Sequence, residues 1–358
     1  MFAVVTSLLV AVLHIPMMIV GLFLFPFMLL ANSLMNGRRT CSELTDKDVV
    51  LVTGCDSGFG LATVRRLQKA YARCQIVAAL VDDASPVAAK LRDEGIVCVR
   101  LNFCEPATIE QCAQLVKDIF RSGPAGRRLH AVVSNAGVCM MGELDWMTPD
   151  QIGRLVNVNA TGPVLLVRAL MDQILDDRTR LVFVSSMASA AVWPYFSVYS
   201  MSKAALEQFV RCLRLELAPR GVAVVVVRPG NFTAGTDILA HQDALAKDMW
   251  NAMDDKKRQR NGDFWHMNTV VRQAHLLTAE DDILPVVSAL ETAITAAAPP
   301  AVIEVSSWNM RVLQFLFSVA PTSWMYPAFS YVVTAYLAVG KIVCRERAVP
   351  IATDQGAA

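Results

Sequence analysis

The sequence predicts an α/β protein with a Rossmann-type, doubly wound parallel sheet, helices on both faces and a membrane anchor at the N-terminus. Short, uninterrupted apolar runs such as Val49–Thr53 are typical of buried parallel strands. These runs alternate with segments whose apolar residues recur at helical spacing, an order that places helices on both faces of a parallel sheet. A glycine-rich turn, Gly54–Gly60, joins the first strand to the first helix, where backbone N–H groups can approach a pyrophosphate.

The remaining elements follow from apolar periodicity and from the positions of Gly and Pro. The predicted strands are Val49–Thr53, Gln75–Val81, Ile96–Leu101, Ala131–Val133, Leu181–Ser185, Val222–Val227 and Ala301–Val305. The predicted helices are Leu61–Ala72, Ala107–Phe120, Pro149–Leu175, Tyr199–Leu217 and Asp282–Thr295. The stretch Ala234–Arg272 lacks a regular pattern and is expected to be an irregular segment that covers the substrate.

Composition limits the classes of protein to which the chain can belong. Its 358 residues suffice for one large domain with additions, and 33 basic against 32 acidic side chains give no reason to expect nucleic acid as a partner. The nine cysteines are scattered singly without a C-x-x-C pair. This pattern predicts free thiols in a reducing compartment, with neither a disulfide framework nor a metal site.

Residues 1–37 are predicted to be a hydrophobic membrane anchor. The segment contains no Asp, Glu, Lys or Arg before Arg38, and as one helix its first 34 residues would span about 51 Å, more than the ~30 Å hydrocarbon core. Because Pro16 and Pro26 can interrupt it, both a single span and a short hairpin remain open. Arg38 and Arg39 follow directly, which favours a cytosolic position for the rest of the chain.

A catalytic centre is predicted at Tyr199 and Lys203, which share one face of a helix because they are four residues apart. Lowering the pKa of a tyrosine from ~10 to ~7 takes about 4 kcal/mol. A positive charge at ~4 Å supplies that much at an effective dielectric of ~20. Ser186 follows a predicted strand and is expected to reach the substrate oxygen, while Asn159 is expected to be either a satisfied core group or part of a proton relay.

The cofactor predicted from the sequence is NAD rather than NADP. Asp82 ends the second strand, where a carboxylate accepts hydrogen bonds from ribose hydroxyls and repels a 2′-phosphate. The alternative is that Asp82 is a turn residue, since Asp83 and Ser85-Pro86 are also turn formers. The glycine turn contains Asp56 and no basic residue. Asn135-Ala-Gly137 ends the fourth strand with residues small enough for a flat ring to approach the backbone.

These motifs together resemble the short-chain dehydrogenase/reductase family over roughly residues 48–305. The form of the glycine turn is similar to the subgroup of retinol, hydroxysteroid and D-β-hydroxybutyrate dehydrogenases, and Pro229-Gly-Asn-Phe is similar to the branch of hydroxybutyrate dehydrogenases and insect Shroud-type proteins. The resemblance implies that Tyr199 is the general base, that Lys203 lowers its pKa and binds the nicotinamide ribose, that Ser186 orients the substrate and that Asn159 supports the relay. It implies a cofactor site of Gly54, Asp56, Ser57, Gly58, Phe59, Gly60, Asp82, Asn102, Asn135, Ala136, Gly137, Tyr199, Lys203, Pro229 and Gly230.

Two positions depart from the family pattern. Ser134 stands where the family usually has the first Asn of its NNAG motif, a change expected to loosen local strand bonding. Thr233 comes one residue earlier after Pro-Gly than the threonine that binds the carboxamide, so that contact is not carried over.

The expected substrate is a lipophilic alcohol or ketone of steroid or retinoid type. No charged residue lies between Ser186 and Tyr199, and the segment carries Trp193, Tyr195 and Phe196, which with Ser186 form the predicted substrate site. D-3-Hydroxybutyrate remains the alternative, with Arg272 or the pair Lys256 and Lys257 reaching its carboxylate from the covering segment. A catalytically silent NAD-binding membrane scaffold is the alternative of another class, and a homodimer or homotetramer is compatible with the resemblance.

Location is predicted from the two ends of the chain and from its sequons. Residues 306–358 form an apolar segment with a polar tail, divided by Pro321 and Pro327 and expected either to contact membrane lipid or to pack as a core helix. The sequons beginning at Asn159 and Asn231 fall in predicted active-site segments, where a glycan has no room. An endoplasmic reticulum protein with a cytosolic catalytic domain is therefore expected, with a mitochondrial membrane as the alternative.

Overall fold

A seven-stranded, fully parallel sheet forms the centre of the computed structural model, with strand order β3-β2-β1-β4-β5-β6-β7. The structure describes residues 43–123, 125–308 and 310–312, together with single positions 27, 327, 331, 334, 335, 338 and 339. The strands are β1 Asp48–Thr53, β2 Gln75–Leu80, β3 Val97–Arg100, β4 Arg128–Ser134, β5 Arg180–Val184, β6 Val224–Pro229 and β7 Val302–Val305. The predicted Rossmann-type α/β sheet is confirmed.

Helices connect successive strands and cover the sheet. They are α1 Gly58–Ala70, α2 Pro86–Asp93, α3 Pro106–Ser122, α4 Pro149–Val156, α5 Gly162–Ala169, α6 Met171–Asp177, α7 Ser197–Leu217, α8 Gln242–Asn251, α9 Asp255–Arg260, α10 Phe264–Leu276 and α11 Leu284–Thr295. The prediction from sequence missed α2, because Ser85 and Pro86 are typical turn formers. They are also a helix start: the Ser85 hydroxyl accepts the Ala88 N–H at 3.2 Å, and Pro86 occupies the first turn.

Alternate residues of each central strand face opposite layers. In β1, Val49 and Leu51 join the cluster beneath α3, α5 and α7, whereas Val50 and Val52 join the cluster beneath α1, α2 and α11. All four side chains are fully buried. Since both faces of the strand are covered, an uninterrupted apolar run is the pattern that this strand requires.

The predicted helix Pro149–Leu175 is interrupted. A turn of π-helix, Asn157–Thr161, lies between α4 and α5, and the Gly162 N–H donates to the Asn157 carbonyl five residues earlier. Pro163 explains the change, since it has no N–H and its ring would clash with the carbonyl four residues back in a regular helix. The wider turn places Asn159 at the level of the strand ends.

Residues 234–272, expected to be irregular, contain α8, α9 and the greater part of α10. In α8, Gln242, Ala246 and Met249 are buried at helical spacing, and the Asp254 carboxylate caps α9 by accepting the Lys257 N–H at 2.7 Å. The helices are short, and α10 also exposes apolar side chains, Trp265 and Leu276, so the apolar periodicity is weak.

The predicted anchor, residues 1–37, and most of the C-terminal segment 306–358 lie outside the described residues. Within the part of the chain that the structure describes, no helix has the length and apolarity needed to cross a membrane.

Candidate active site

A cavity of about 490 Å³ opens at the carboxyl ends of the strands, beside the turns that follow β1, β4, β5 and β6. This is the edge of a parallel sheet at which ligands of doubly wound folds bind. The predicted site residues that line it are Gly54, Asp56, Ser57, Gly58, Phe59, Asn135, Ala136, Gly137, Ser186, Trp193, Phe196, Tyr199, Lys203, Pro229 and Gly230.

The glycine turn has a shape that only glycine permits. Gly54 and Gly58 have φ of +70° and +55°, and a Cβ on Gly54 would lie 2.6 Å from the Cα of Ala136. Gly60 lies behind the turn, where a Cβ would come within 2.1 Å of the Gly54 carbonyl oxygen. Ser57 is the N-cap of α1 but its side chain makes no capping bond, so the first N–H groups of the helix remain available to an anion. These features fit a dinucleotide pyrophosphate.

A set of hydrogen bonds links the turn after β1 to the turn after β4. Thr53 Oγ1 accepts from the backbone N–H groups of Asn135 and Ala136, both at 3.0 Å. Asn135 Nδ2 donates to the carbonyls of Thr53 and Gly54 at 2.9 and 3.1 Å. The backbone pairing at Ser134 is kept, because Ser134 pairs in register with Phe183 of β5, whereas its buried hydroxyl has no hydrogen-bond partner among the described residues.

Tyr199, Ser186 and Lys203 lie together at the buried end of the cavity. The Ser186 and Tyr199 side chains are joined by a hydrogen bond, and the Lys203 Nζ donates to the Val184 carbonyl at 3.1 Å. Tyr199 is 8% exposed and Lys203 is 3% exposed. The three residues belong to the start of α7 and to the end of β5, so the strand and the helix together define their positions.

The electrostatics differ from the sequence-based expectation. Burial raises the pKa of Tyr199, and neighbouring Cys139 adds to this, while the hydrogen bond to Ser186 lowers it. Burial also lowers the pKa of Lys203 to about 8. In the chain alone, desolvation therefore outweighs the expected effect of Lys203, whose ammonium is bound to a backbone carbonyl. A bound nicotinamide cofactor accepts or supplies the hydride and in its oxidised form brings positive charge, which favours the phenolate.

Asn159 is fully buried and its side chain is hydrogen-bonded on both sides. Its Oδ1 accepts the Val138 N–H at 2.9 Å, and its Nδ2 donates to the Val138 carbonyl at 2.8 Å and to Ser202 Oγ at 3.0 Å. A Cβ on Gly137 would lie 3.2 Å from Lys203 Nζ and 3.4 Å from Asn159 Oδ1. Asn159 thus fixes the segment after β4 against the catalytic helix.

Asp82 and Asn102 lie outside the cavity lining among the described residues. The exposed Asp82 carboxylate accepts the Ala84 N–H at 3.0 Å, and Asn102 Nδ2 donates to Glu105 at 2.8 Å. Asp56, in contrast, lines the cavity and accepts the Val81 N–H at 3.0 Å, which ties the glycine turn to the end of β2. Contacts of Asp82 and Asn102 with a cofactor remain predictions.

The substrate side of the cavity contains Trp193 and Phe196, whereas Tyr195 belongs to the wall behind it. Tyr195 has φ of +67° and its ring lies 5.5 Å from that of Trp146. The basic residues expected to reach in from the covering segment do not line the cavity: Arg272 pairs with Asp243 at 2.7 Å, and Lys257 lies 3.8 Å from Asp145.

Among the cavity-lining residues that sequence reasoning missed are three with basic or imidazole side chains, Arg154, His241 and His275. Arg154 lies in α4, five residues before Asn159, a spacing that separates the two side chains by about 140° around a regular helix, so the sequence indicated no shared face. Both histidines belong to the segment after β6, and no local sequence motif identifies them as site residues.

Comparison with known proteins agrees with this arrangement. The sequence profile described as "short chain dehydrogenase" matches residues 48–245. Mitochondrial D-beta-hydroxybutyrate dehydrogenase of Bos taurus is 30% identical, covering 74% of this chain and 79% of that protein. Estradiol 17-beta-dehydrogenase 2 of Rattus norvegicus is 31% identical, covering 71% of this chain and 67% of that protein. Retinol dehydrogenase 5 of Mus musculus is 28% identical, covering 78% of this chain and 88% of that protein.

Solved structures show the same fold. A short-chain dehydrogenase from Streptomyces avermitilis superposes with a TM-score of 0.55 at 22% identity, covering 83% of this chain and 97% of that one. The matched profile spans β1 to β6 and includes the glycine turn, Asn159, Ser186, Tyr199 and Lys203. The chain therefore belongs to the short-chain dehydrogenase family and is an oxidoreductase that acts with a nicotinamide cofactor on an alcohol or ketone.

Proposed function

We propose that this protein is a membrane-anchored dehydrogenase that transfers a hydride between NAD and a lipophilic alcohol or ketone of steroid or retinoid type. The observation that carries the proposal is the shared cavity: both the hydrogen-bonded pair Tyr199 and Ser186, with Lys203, and the glycine turn line it. Catalytic groups and a cradle for a pyrophosphate thus open into one space.

The residues at the buried end divide the chemistry between them. In the oxidative direction the Ser186 hydroxyl holds the substrate oxygen, and Tyr199 takes its proton while the carbinol carbon loses a hydride. Lys203, whose pKa is lowered to about 8 by burial, is still mostly charged at neutral pH and favours the phenolate. In the reductive direction Tyr199 returns the proton.

An apolar wall on the substrate side supports a lipophilic substrate. It combines the predicted Trp193 and Phe196 with further apolar side chains that line the cavity, namely Val138, Cys139, Val158, Met187 and Ile238. A wall of this kind gains free energy by covering hydrocarbon surface, at roughly 25 cal/mol per Å². Two of the similar proteins are named for retinol and estradiol, which are lipophilic alcohols.

A short hydroxy acid is the second candidate substrate, and Arg154 is the observation that favours it. This exposed guanidinium lines the cavity and is the kind of group that binds a carboxylate. One similar protein is named for D-beta-hydroxybutyrate. If the substrate is a hydroxy acid, Arg154→Gln raises its KM more than tenfold, whereas the KM of a neutral lipophilic alcohol changes little.

NAD is the proposed cofactor because two carboxylates, Asp56 and Asp82, lie near the carboxyl end of β2 with no basic residue in the glycine turn. Negative charge there repels the 2′-phosphate of NADP. NADP is the less favoured cofactor.

Residues 1–37 are proposed to anchor the dehydrogenase domain, residues 48–305, to the endoplasmic reticulum with the domain in the cytosol. The uncharged N-terminal segment, the basic residues after it and the buried position of Asn159 within a sequon support this topology. The same domain in a mitochondrial membrane is the alternative. Protease added to intact microsomes should digest the domain, and glycosidase should leave its mobility unchanged; a protected domain or a mobility shift contradicts the topology.

Turnover of steroids, retinoids and D-3-hydroxybutyrate by membranes containing the full chain, with NAD and NADP compared, tests the function. Tyr199→Phe should lower kcat about 10²- to 10⁴-fold while cofactor binding persists, because the proton acceptor is lost and the fold is kept. Tyr195→Phe, outside the cavity, is the matched control and should retain activity. Binding of NAD without turnover of any compound in the panel would instead favour the silent scaffold.

A further inference from the structure

His275 is a histidine of the cavity wall that the hydride-transfer chemistry does not use. It lies near the end of α10, lines the cavity, and its ring packs on that of Phe196 with centroids 5.0 Å apart and planes at 37°. Burial lowers the pKa of His275 to about 4, so the imidazole is neutral at physiological pH. It therefore presents one N–H donor and one nitrogen acceptor.

The backbone at His275 is fixed by hydrogen bonds, but its ring is not engaged. The His275 carbonyl accepts from Asn231 Nδ2 at 2.8 Å and from Thr278 Oγ1 at 3.1 Å. Over the residues that the structure describes, neither ring nitrogen has a hydrogen-bond partner in the protein. An enclosed polar group without a partner is unfavourable unless a ligand or water satisfies it.

Other polar groups of the same wall already have partners in the protein. Thr236 Oγ1 donates to the Phe232 carbonyl at 2.9 Å, and Thr233 Oγ1 donates to Asn231 Oδ1 at 2.8 Å. The ring of His275 differs from these two threonines, because its nitrogens have no protein partner among the described residues. His275 is therefore equipped to recognise a polar atom of a ligand.

Phe196 connects this group to the catalytic centre. The Phe196 ring lies 6.3 Å from the Tyr199 ring on one side and 5.0 Å from the His275 ring on the other. The Phe196 ring thus contacts both side chains, and the ring centroids of Tyr199 and His275 are separated by at most the sum of these two distances. A rigid fused-ring molecule is long enough to reach from Tyr199 to His275 across Phe196.

We propose that His275 binds a second oxygen of the substrate, remote from the carbon that is oxidised, and thereby selects rigid apolar alcohols or ketones that carry an additional hydroxyl or carbonyl group. The inference rests on the proposed function, because it assigns the far end of the same substrate. It distinguishes a doubly oxygenated ring system from a hydrocarbon chain with a single alcohol. His275 is a specificity-determining residue, and Tyr199 and Ser186 carry out the chemistry on either kind of compound.

The test compares two steroid-type compounds that share the reacting hydroxyl and differ only in a second, distal hydroxyl. With the full chain in membranes and saturating NAD, kcat/KM for the diol should exceed that for the mono-alcohol by about 10- to 100-fold. His275→Phe keeps an aromatic ring against Phe196 but removes the hydrogen bond, so this ratio should fall to near one. His275→Gln keeps a donor and an acceptor and should restore part of the ratio.

Arg272→Gln is the matched control, because Arg272 lies on the same helix but pairs outward with Asp243. It should leave the ratio at the wild-type value. A ratio near one in the wild type, or a wild-type ratio that persists in His275→Phe, overturns the inference while the proposed function stands.

A binding measurement separates failure of the inference from failure of the function. If neither compound is turned over, binding is followed by quenching of tryptophan fluorescence in the presence of NAD. If His275→Phe then weakens binding of the diol but not of the mono-alcohol, the His275 subsite is supported and the proposed reaction is rejected. Equal binding of diol and mono-alcohol in both proteins rejects the subsite as well.

Discussion

The buried ion pair of Arg228 and Glu207 should contribute strongly to the stability of the catalytic region. Arg228, in β6, donates from Nε and from its terminal nitrogen to the two carboxylate oxygens of Glu207 in α7, at 2.9 and 2.7 Å. Ser189, three residues after Ser186, donates to the same carboxylate at 2.6 Å. Arg228 also pairs with Glu304 of β7, and Arg228 and Glu207 are only 9% and 6% exposed.

Replacing Arg228 with Met leaves the Glu207 carboxylate buried without its cation. Removing one partner of a buried pair costs about 3–5 kcal/mol, on the order of 10 °C in melting temperature for a domain of this size. The double variant Arg228→Met, Glu207→Leu should recover most of the loss, because the buried Glu207 carboxylate is removed together with its cation, and the remaining partner, Glu304, is 33% exposed. Since Ser189 and the Ser186 turn are held by Glu207, kcat should fall in the single variant as well.

The stability lost in Arg228→Met should depend on pH, in a direction that follows from the pKa of Glu207. Burial raises the pKa of Glu207, but the hydrogen bonds and charge of Arg228 outweigh this, so the folded-state pKa lies below 4.5. In the wild type the pair therefore stabilises the fold above that value, and its contribution disappears as the pH falls through the folded-state pKa. In Arg228→Met, burial dominates and raises the pKa of Glu207. Protonation of Glu207 then removes the free-energy cost of its buried charge, so the unfolding free energies of the variant and the wild type approach each other at acidic pH.

The assay is urea unfolding of the detergent-solubilised full chain, followed by tryptophan fluorescence between pH 4.5 and 8. Arg272→Met is the control, because it breaks an ion pair whose side chains are 31% and 69% exposed and should cost at most about 1 kcal/mol. A loss in Arg228→Met no larger than in this control, or a loss independent of pH, would refute the reasoning.

Three further predictions concern the cavity. Gly54→Ala should cost about 2 kcal/mol or more and weaken NAD binding, because φ is +70° and the new Cβ would meet Ala136; Gly153→Ala, whose Cβ meets nothing within 4 Å, is the control, and thermal melting with NAD titration measures both. Lys203→Met should abolish turnover yet raise stability at pH 7 by about 1–3 kcal/mol. The Lys203 pKa of about 8 in the fold is below the ordinary lysine value of 10.5, so the charge is unfavourable below pH 8 and the gain in stability should vanish as the pH approaches 10.5. Asp82→Asn should reduce the kcat/KM preference for NAD over NADP about tenfold, and an unchanged ratio would contradict the role of Asp82.

The sequence by itself determined the parts of this protein that depend on neighbouring residues. Uninterrupted apolar runs predicted the strands because both faces of the sheet are covered, as the opposite burial of Val50 and Leu51 demonstrates. The glycine turn was predictable because its backbone conformation excludes side chains. Helical periodicity was enough to place Tyr199 and Lys203 on one face of α7.

Tertiary structure alone decided how these parts meet and what charge they carry. Three contacts join residues from different elements: Thr53 with Asn135, Arg228 with Glu207, and His275 with Phe196. The periodicity of apolar residues along the sequence does not predict such contacts. The direction of the Tyr199 pKa was also beyond the sequence, because spacing gives the position of Lys203 but not the desolvation of both groups. Local patterns depend on bonds along the chain, whereas burial depends on everything packed around a group, and only the folded structure contains that information.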